Sequence, residues 1–204
     1  QFMVLSLIWS GLIFFGQSFI NMWAGTDYNG SYYIALLLII PVTIPLIQNI
    51  GIEIQKAKNM HQFRSIVYLV IAIGNVLLSI PLAKVYGGVG AALGTAISLI
   101  IGNGFVMNWY YHVKIGLNMK CFWRQILRFI PSLILPIIYG TIVNMFIDLS
   151  NPINFFIFGA IYVALFCISM WFFGMNQYER NLISKPMSKI LNKIRLKKIQ
   201  FVEK

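Results

Sequence analysis

The sequence predicts an all-α integral membrane protein with six transmembrane helices and a basic, amphipathic C-terminal tail. Three observations carry that prediction. The 204 residues are 59% hydrophobic and only 10% charged, against about 25% charged in soluble domains. Six continuous apolar runs approach the ~20 residues that a helix rising ~1.5 Å per residue needs to cross a ~30 Å hydrocarbon core. Positive charge is confined to alternate loops. Such a composition excludes a soluble globular enzyme, a disordered chain and a disulfide-rich module.

The six runs are Phe2–Trp23, Tyr32–Ile52, Ser65–Ala83, Val89–Tyr110, Phe129–Ile147 and Pro152–Gly174. They are continuous rather than alternating, and about twice the ~10 residues of a barrel strand. They divide the chain into four membrane helices over residues 1–110, a basic loop over 111–128, two further helices over 129–175 and a basic tail over 176–204. The first residue, Gln1, opens directly into an apolar run with no basic flank. That reads as the interior of a longer protein rather than a signal peptide.

Of the 16 Lys and Arg residues, Lys84 alone falls outside the segments 53–64, 111–128 and 176–204. The positive-inside rule assigns those segments, with the C-terminus, to the cytoplasm. The formal net charge of +11 is thereby accounted for by topology, and no nucleic-acid partner is expected. Trp23, Tyr28, Tyr32, Tyr33 and Tyr86 mark the outer interface; Trp109, Tyr110, Tyr111, Trp123, Trp171 and Tyr178 mark the inner one. In the tail, Ile183, Met187, Ile190, Leu191 and Ile194 form an apolar stripe flanked by Lys185, Lys189, Lys193, Arg195, Lys197 and Lys198, as in a segment lying on an anionic leaflet.

Helical spacing sorts polar residues onto faces. Ser6, Ser10, Gln17 and Asn21 share one side of the first span; Tyr68, Ala72, Asn75 and Ser79 share one side of the third. In the second, Pro41, Pro45 and Gln48 line up, with Thr43 and Asn49 nearby. An unpaired amide in hydrocarbon costs several kcal/mol. Gln17, Asn21, Thr43, Gln48, Asn49, Asn75 and Ser79 therefore either bond a neighbouring helix or wall a polar cavity. Gly90, Gly94, Ser98 and Gly102 recur every four residues, the pattern that lets two helix backbones approach closely. Pro41 and Pro45 predict a bend.

Catalytic chemistry finds little to work with. No Asp, Glu, Arg, Lys or His lies in the middle of any of the six spans, where proton or ion relays place theirs. His61 and His112 are isolated, no metal-ligand spacing occurs, and no nucleotide-binding glycine loop is present. Asp27 and Asp148 belong to short turns, and Cys121 and Cys167 are not expected to pair. No catalytic residue, metal or cofactor is expected.

One ordered set of residues resembles a known family. It runs from Phe15-Gly16 and Phe19-Ile20 through Met22-Trp23-Ala24-Gly25 and Asp27-Tyr28. It continues with Pro45 to Asn59, including Gln48-Asn49, Gly51, Glu53, Lys56 and Lys58, and with Phe63-Arg64-Ser65. Then come Asn75-Val76, Pro81-Leu82-Ala83, Tyr86-Gly87-Gly88, Gly90, Gly94-Thr95, Gly102-Asn103, Asn108, Tyr110-Tyr111 and Ile115 to Asn118. Over residues ~10–125 this is similar to the polysaccharide flippases of the multidrug/oligosaccharidyl-lipid/polysaccharide exporter superfamily. Tyr178-Glu179-Arg180, Leu182-Ile183 and Lys185-Pro186 resemble family tails.

The resemblance implies a two-lobed, MATE-like fold of which these six helices form most of the second lobe, the first lobe lying in a missing N-terminal region. It implies a bacterial inner-membrane protein that flips a lipid-linked O-antigen or capsule repeat unit to the outer leaflet by alternating access. The implied partners are a polyprenyl diphosphate-linked glycan, membrane lipid and the absent lobe. On that reading the amides of the cavity candidates meet sugar hydroxyls, and Lys56, Lys58 and Arg64 attract the diphosphate at the cytoplasmic mouth. The alternatives are a multidrug or small-molecule exporter of the same superfamily and a membrane-embedded glycan transferase or polymerase.

Overall fold

A computed structural model of the protein describes residues 1–182 and Ser184. The described residues contain no strand. Among the described residues eight α-helices follow in order, α1 (Phe2–Ala24), α2 (Asn29–Ile47), α3 (Asn49–Ala57), α4 (Gln62–Leu99), α5 (Asn108–Val113), α6 (Met119–Leu127), α7 (Ile130–Phe146) and α8 (Pro152–Ser169), and helix resumes at Gln177. Wider π-helical turns extend α4 over Ile100–Met107 and α8 over Met170–Gly174. Five helical stretches are long and apolar enough to cross a membrane, one of them the 52-residue stretch Gln62–Val113.

That stretch does not run straight. Gly87 has φ 58° and ψ −139°, outside helical geometry. A side chain strains a positive φ, and glycine does not. The chain reverses there, and residues 62–86 pack antiparallel against 88–113. Backbone contact is closest where side chains are smallest. Gly90 lies against the Leu82 backbone, Gly94 against the Ser79 backbone and Gly102 against the Ile71 side chain. A Cβ at any of these three positions collides with its neighbour. Ser98, fourth in the same stripe, is buried as well.

The second apolar run does not continue to Ile52 as one helix. It breaks at Gln48, and α3 sets off on its own path. Pro41 and Pro45 both lie inside α2, and each removes a backbone donor and crowds the preceding turn. The basic segment 111–128 holds a helix rather than a loop. In α6, Met119, Phe122, Trp123 and Ile126 alternate with Lys120, Arg124 and Gln125 at helical spacing, and the Asn118 side chain caps its N-terminus by accepting from Cys121 N at 3.0 Å. Asn151 caps α8 in the same way, accepting from Ile153 N at 3.0 Å, with Pro152 in the first turn.

Side chains pack in two regions. Phe15, Val143, Leu149 and Tyr162 join α1, α7 and α8, with Leu133, Phe166 and Met170 forming a second layer of that packing. Val67, Met107, Tyr110, Tyr111, Ile115 and Met119 form a separate core at one end of the α4 reversal. Elsewhere the apolar faces are bare: Leu69, Leu77 and Phe146 are 62%, 68% and 79% exposed. A soluble monomer rarely leaves apolar surface on this scale open to water, whereas hydrocarbon solvates it without cost.

The basic segments gather at one end. Lys58 Nζ donates to the Ile115 carbonyl at 2.8 Å and Tyr110 Oη to the Met60 carbonyl at 3.4 Å, joining segment 53–64 to the start of 111–128. A cavity of about 480 Å³ is walled by Gln1, Ile50, Arg128, Asn176 and Glu179, which brings the start of the tail to the same end. There Asn176 and Glu179 cap a helix reciprocally, Glu179 N donating to Asn176 Oδ1 at 2.9 Å and Asn176 N to Glu179 Oε2 at 2.8 Å. The apolar stripe expected over Ile183 to Ile194 lies outside the described residues.

Candidate functional site

The seven cavity candidates fall at three places. Near the end that holds Gly25, Gln17 Nε2 donates to Asn21 Oδ1 at 3.2 Å and to Asn29 Oδ1 at 2.6 Å. This pairing draws α1 and α2 together across their short connection, helped by Tyr32 Oη donating to the Ile13 carbonyl at 2.8 Å. Between the arms of the α4 reversal, the Ser79 and Thr95 hydroxyls donate to Asn75 Oδ1 at 2.6 and 3.1 Å. At the break after α2, Gln48 Nε2 donates to Asn108 Oδ1 at 2.9 Å, and Trp123 Nε1 donates to the same oxygen at 3.2 Å. Thr43 is buried and spends its hydroxyl on the Ile39 carbonyl one turn back, at 2.8 Å. Asn49 is exposed.

In this conformation Gln17, Asn21, Thr43, Gln48, Asn75 and Ser79 therefore have partners inside the chain. Gln48 also lines a cavity of about 130 Å³ with Gly51, Tyr111, Asn118 and Phe122. Asn108 joins three elements, since its Nδ2 donates back to the Gly104 carbonyl while its Oδ1 receives Gln48 and Trp123. It ties the break after α2 to α5 and to the amphipathic helix α6.

The three cationic candidates have different fates. Lys56 pairs with Glu53 at 2.9 Å, both side chains more than 60% exposed, a geometry worth little in stability. Lys58 caps the Ile115 carbonyl. Arg64 is half-buried, with its guanidinium carbon 4.9 Å from the centre of the Tyr68 ring and Nη2 donating to Tyr68 Oη at 3.1 Å. Tyr68 Oη in turn donates to Asn103 Oδ1 at 3.0 Å.

Sequence reasoning missed part of this cluster. Gln55 is 1% exposed with neither amide atom hydrogen-bonded, and Asn103 is 2% exposed with Nδ2 unpaired. Arg64 Nη1 is likewise buried without a partner. Gln55 lies within the charged stretch Glu53–Lys58, where a solvated face is the natural reading. Gly51, one turn earlier on the same face of α3, rests its bare Cα against the Tyr111 ring. Asn103 was legible only as a neighbour of the glycine stripe.

No protein-family profile, curated protein or solved structure matches this chain.

Proposed function

We propose that the chain forms most of the second lobe of a membrane transporter that flips a lipid-linked oligosaccharide or polysaccharide repeat unit across the bacterial inner membrane by alternating access. The observation that carries this reading is the ordered set of residues over ~10–125 that resembles the polysaccharide flippases. The structure adds a physical role for many of them. Gly87 makes the reversal, Gly90 and Gly94 make the closest backbone approach, Pro45 precedes the break at Gln48, and Asn108 bridges that break. Counting Gln62–Val113 as two crossings about Gly87 gives six spans, the number expected for most of a second lobe in a MATE-like fold. The basic end then faces the cytoplasm.

Alternating access requires helices that separate and rejoin. Amide-to-amide and amide-to-hydroxyl bonds suit this, because a sugar hydroxyl replaces either partner without a charge having to be desolvated. On this reading Gln17, Asn21, Thr43, Gln48, Asn49, Asn75 and Ser79 supply the wall that a glycan meets when Gln48–Asn108 and Asn75–Thr95 open.

The test is glycan export by the full-length protein carrying Gln48→Leu, Asn49→Leu or Asn75→Leu, scored against the amount of protein in the membrane. A substrate role predicts lower export at normal protein level, most cleanly for Asn49, which holds no interior contact to lose. Normal export at normal level in all three variants refutes it.

A further inference from the structure

Two features of the α4 reversal meet at its basic end, and neither is explained by the chain's own contacts. The first is electrostatic. Among the described residues Arg64 meets no carboxylate, and Lys56–Glu53 is the sole ion pair. Two buried donors of this group lack acceptors, Arg64 Nη1 and Asn103 Nδ2; on α3 both amide atoms of Gln55, a donor and an acceptor, are unpaired as well. Arg64 and Asn103 are linked through Tyr68. A cluster weighted this heavily toward donors, around a fixed positive charge, matches an oxyanion with several acceptor oxygens.

The second feature is steric. An apolar groove of about 390 Å³ runs between the two arms, lined by Phe63, Val67, Val70, Ile71, Gly74 and Gly102 among others. It reaches from Phe63 to Leu78, about 22 Å along a helix rising ~1.5 Å per residue. That exceeds one leaflet of a ~30 Å hydrocarbon core. Its lining residue Val70 is 62% exposed, so the groove opens at the surface of the described residues. Phe63 at its end precedes Arg64, and Gly102 in its floor precedes Asn103. The polar cluster and the groove thus share one end, at the depth where the interfacial tyrosines Tyr110 and Tyr111 lie.

We infer that this is a binding site for an anionic glycerophospholipid of the basic-side leaflet, with one acyl chain in the groove and the phosphate at Arg64 and Asn103. A phospholipid fits better than a chain-only occupant because a bare acyl chain leaves the buried donors and the guanidinium unanswered. The inference stands apart from the translocation reading, since a transporter or a scaffold equally holds such a lipid.

The test is native mass spectrometry of the full-length protein in detergent, with phosphatidylglycerol, phosphate-free diacylglycerol or a polyprenyl diphosphate supplied as separate probes. Phosphatidylglycerol should be retained and diacylglycerol lost. Arg64→Gln should weaken phosphatidylglycerol retention about tenfold, as expected for a lost charge-assisted hydrogen bond, while Lys114→Gln at the same end leaves it unchanged. Gly74→Phe gives a second arm, because Gly74 lines the groove and a Cβ there meets nothing within 4 Å, which places the added ring at the groove. It should abolish retention with the melting temperature preserved. Equal retention of diacylglycerol, insensitivity to both Arg64→Gln and Gly74→Phe, or preference for the polyprenyl diphosphate would each overturn the assignment. Water alone at Arg64 in an experimental density map of the lipid-supplied protein would do the same.

Discussion

Asn108 shows how much structure one amide can hold in a chain with few polar groups. Its oxygen receives Gln48 and Trp123 and its nitrogen serves the Gly104 carbonyl. Asn108→Leu leaves two donors unanswered, and Gln48 is only 4% exposed. The expected loss is about 2–4 kcal/mol of stability. The double variant Gln48→Leu/Asn108→Leu should lose less than the sum of the two single changes, which denaturation in mixed micelles measures. Asp148 gives a pH prediction. It accepts from the Ser150 backbone N–H at 2.9 Å, and that bond holds its carboxyl below the ordinary aspartate value. The stabilisation is therefore complete above the ordinary aspartate range and is lost only as pH falls through the lower folded value. Titration of the Asp148 carboxyl by NMR should give a midpoint below that of an unstructured peptide. At this scale the inward direction of Gln48, Asn75 and Ser79 was legible from helical spacing. Their partners were not, because Asn108 and Thr95 are 60 and 20 residues away. The burial of Gln55 was illegible for a different reason: Gly51, on the same face of α3, rests against the Tyr111 ring, a contact that no local pattern encodes.

Among elements, the α4 reversal depends on glycines that play unequal parts. Gly94 faces the Ser79 backbone, whereas Gly11 on α1 faces open space. Gly94→Leu should force the two arms apart at a cost of roughly 1–3 kcal/mol or more. Gly11→Ala should instead leave stability unchanged or raise it by up to about 1 kcal/mol, through helix propensity. Comparing the melting temperatures of the two variants separates a packing glycine from an incidental one. The glycine stripe and the Gly87-Gly88 turn stood out in the sequence because small residues every four positions and paired glycines have few other uses. The break at Gln48 was foreshadowed by Pro41 and Pro45, but the apolar run continued to Ile52 and concealed where α2 stops. Helix α6 was hidden by its charge. Residues 111–128 read as a basic loop, although Met119, Phe122, Trp123 and Ile126 already spelled an apolar face. The π-helical turns at Ile100–Met107 and Met170–Gly174 have no sequence mark that separates them from ordinary helix.

Over the whole molecule, the alternation of charge along the chain becomes a separation in space. Segments 53–64 and 111–128 touch through Lys58 and Tyr110, and the start of the tail shares a cavity with Arg128, while Lys84 lies near the opposite turn at Gly87. Single cysteines placed at Asn59, Lys114 and Tyr86 test the resulting topology in intact cells. A membrane-impermeant thiol reagent should reach position 86 and leave 59 and 114 unlabelled. Labelling of 59 and 114 from opposite sides would mean that Gln62–Val113 crosses once and that the reversal is absent. Apolar length and charge asymmetry made the membrane class legible in the sequence, and the exposed aliphatic faces of the structure agree with it. The measurement that addresses function most directly is translocation by the full-length protein in proteoliposomes. A polyprenyl diphosphate oligosaccharide is placed in both leaflets, and its exposure to an enclosed or external glycosidase is followed. The account predicts that the protected half of the glycan becomes accessible from the other side, and more slowly with Asn75→Leu at equal protein content. An accessible fraction equal to that of protein-free vesicles would contradict it.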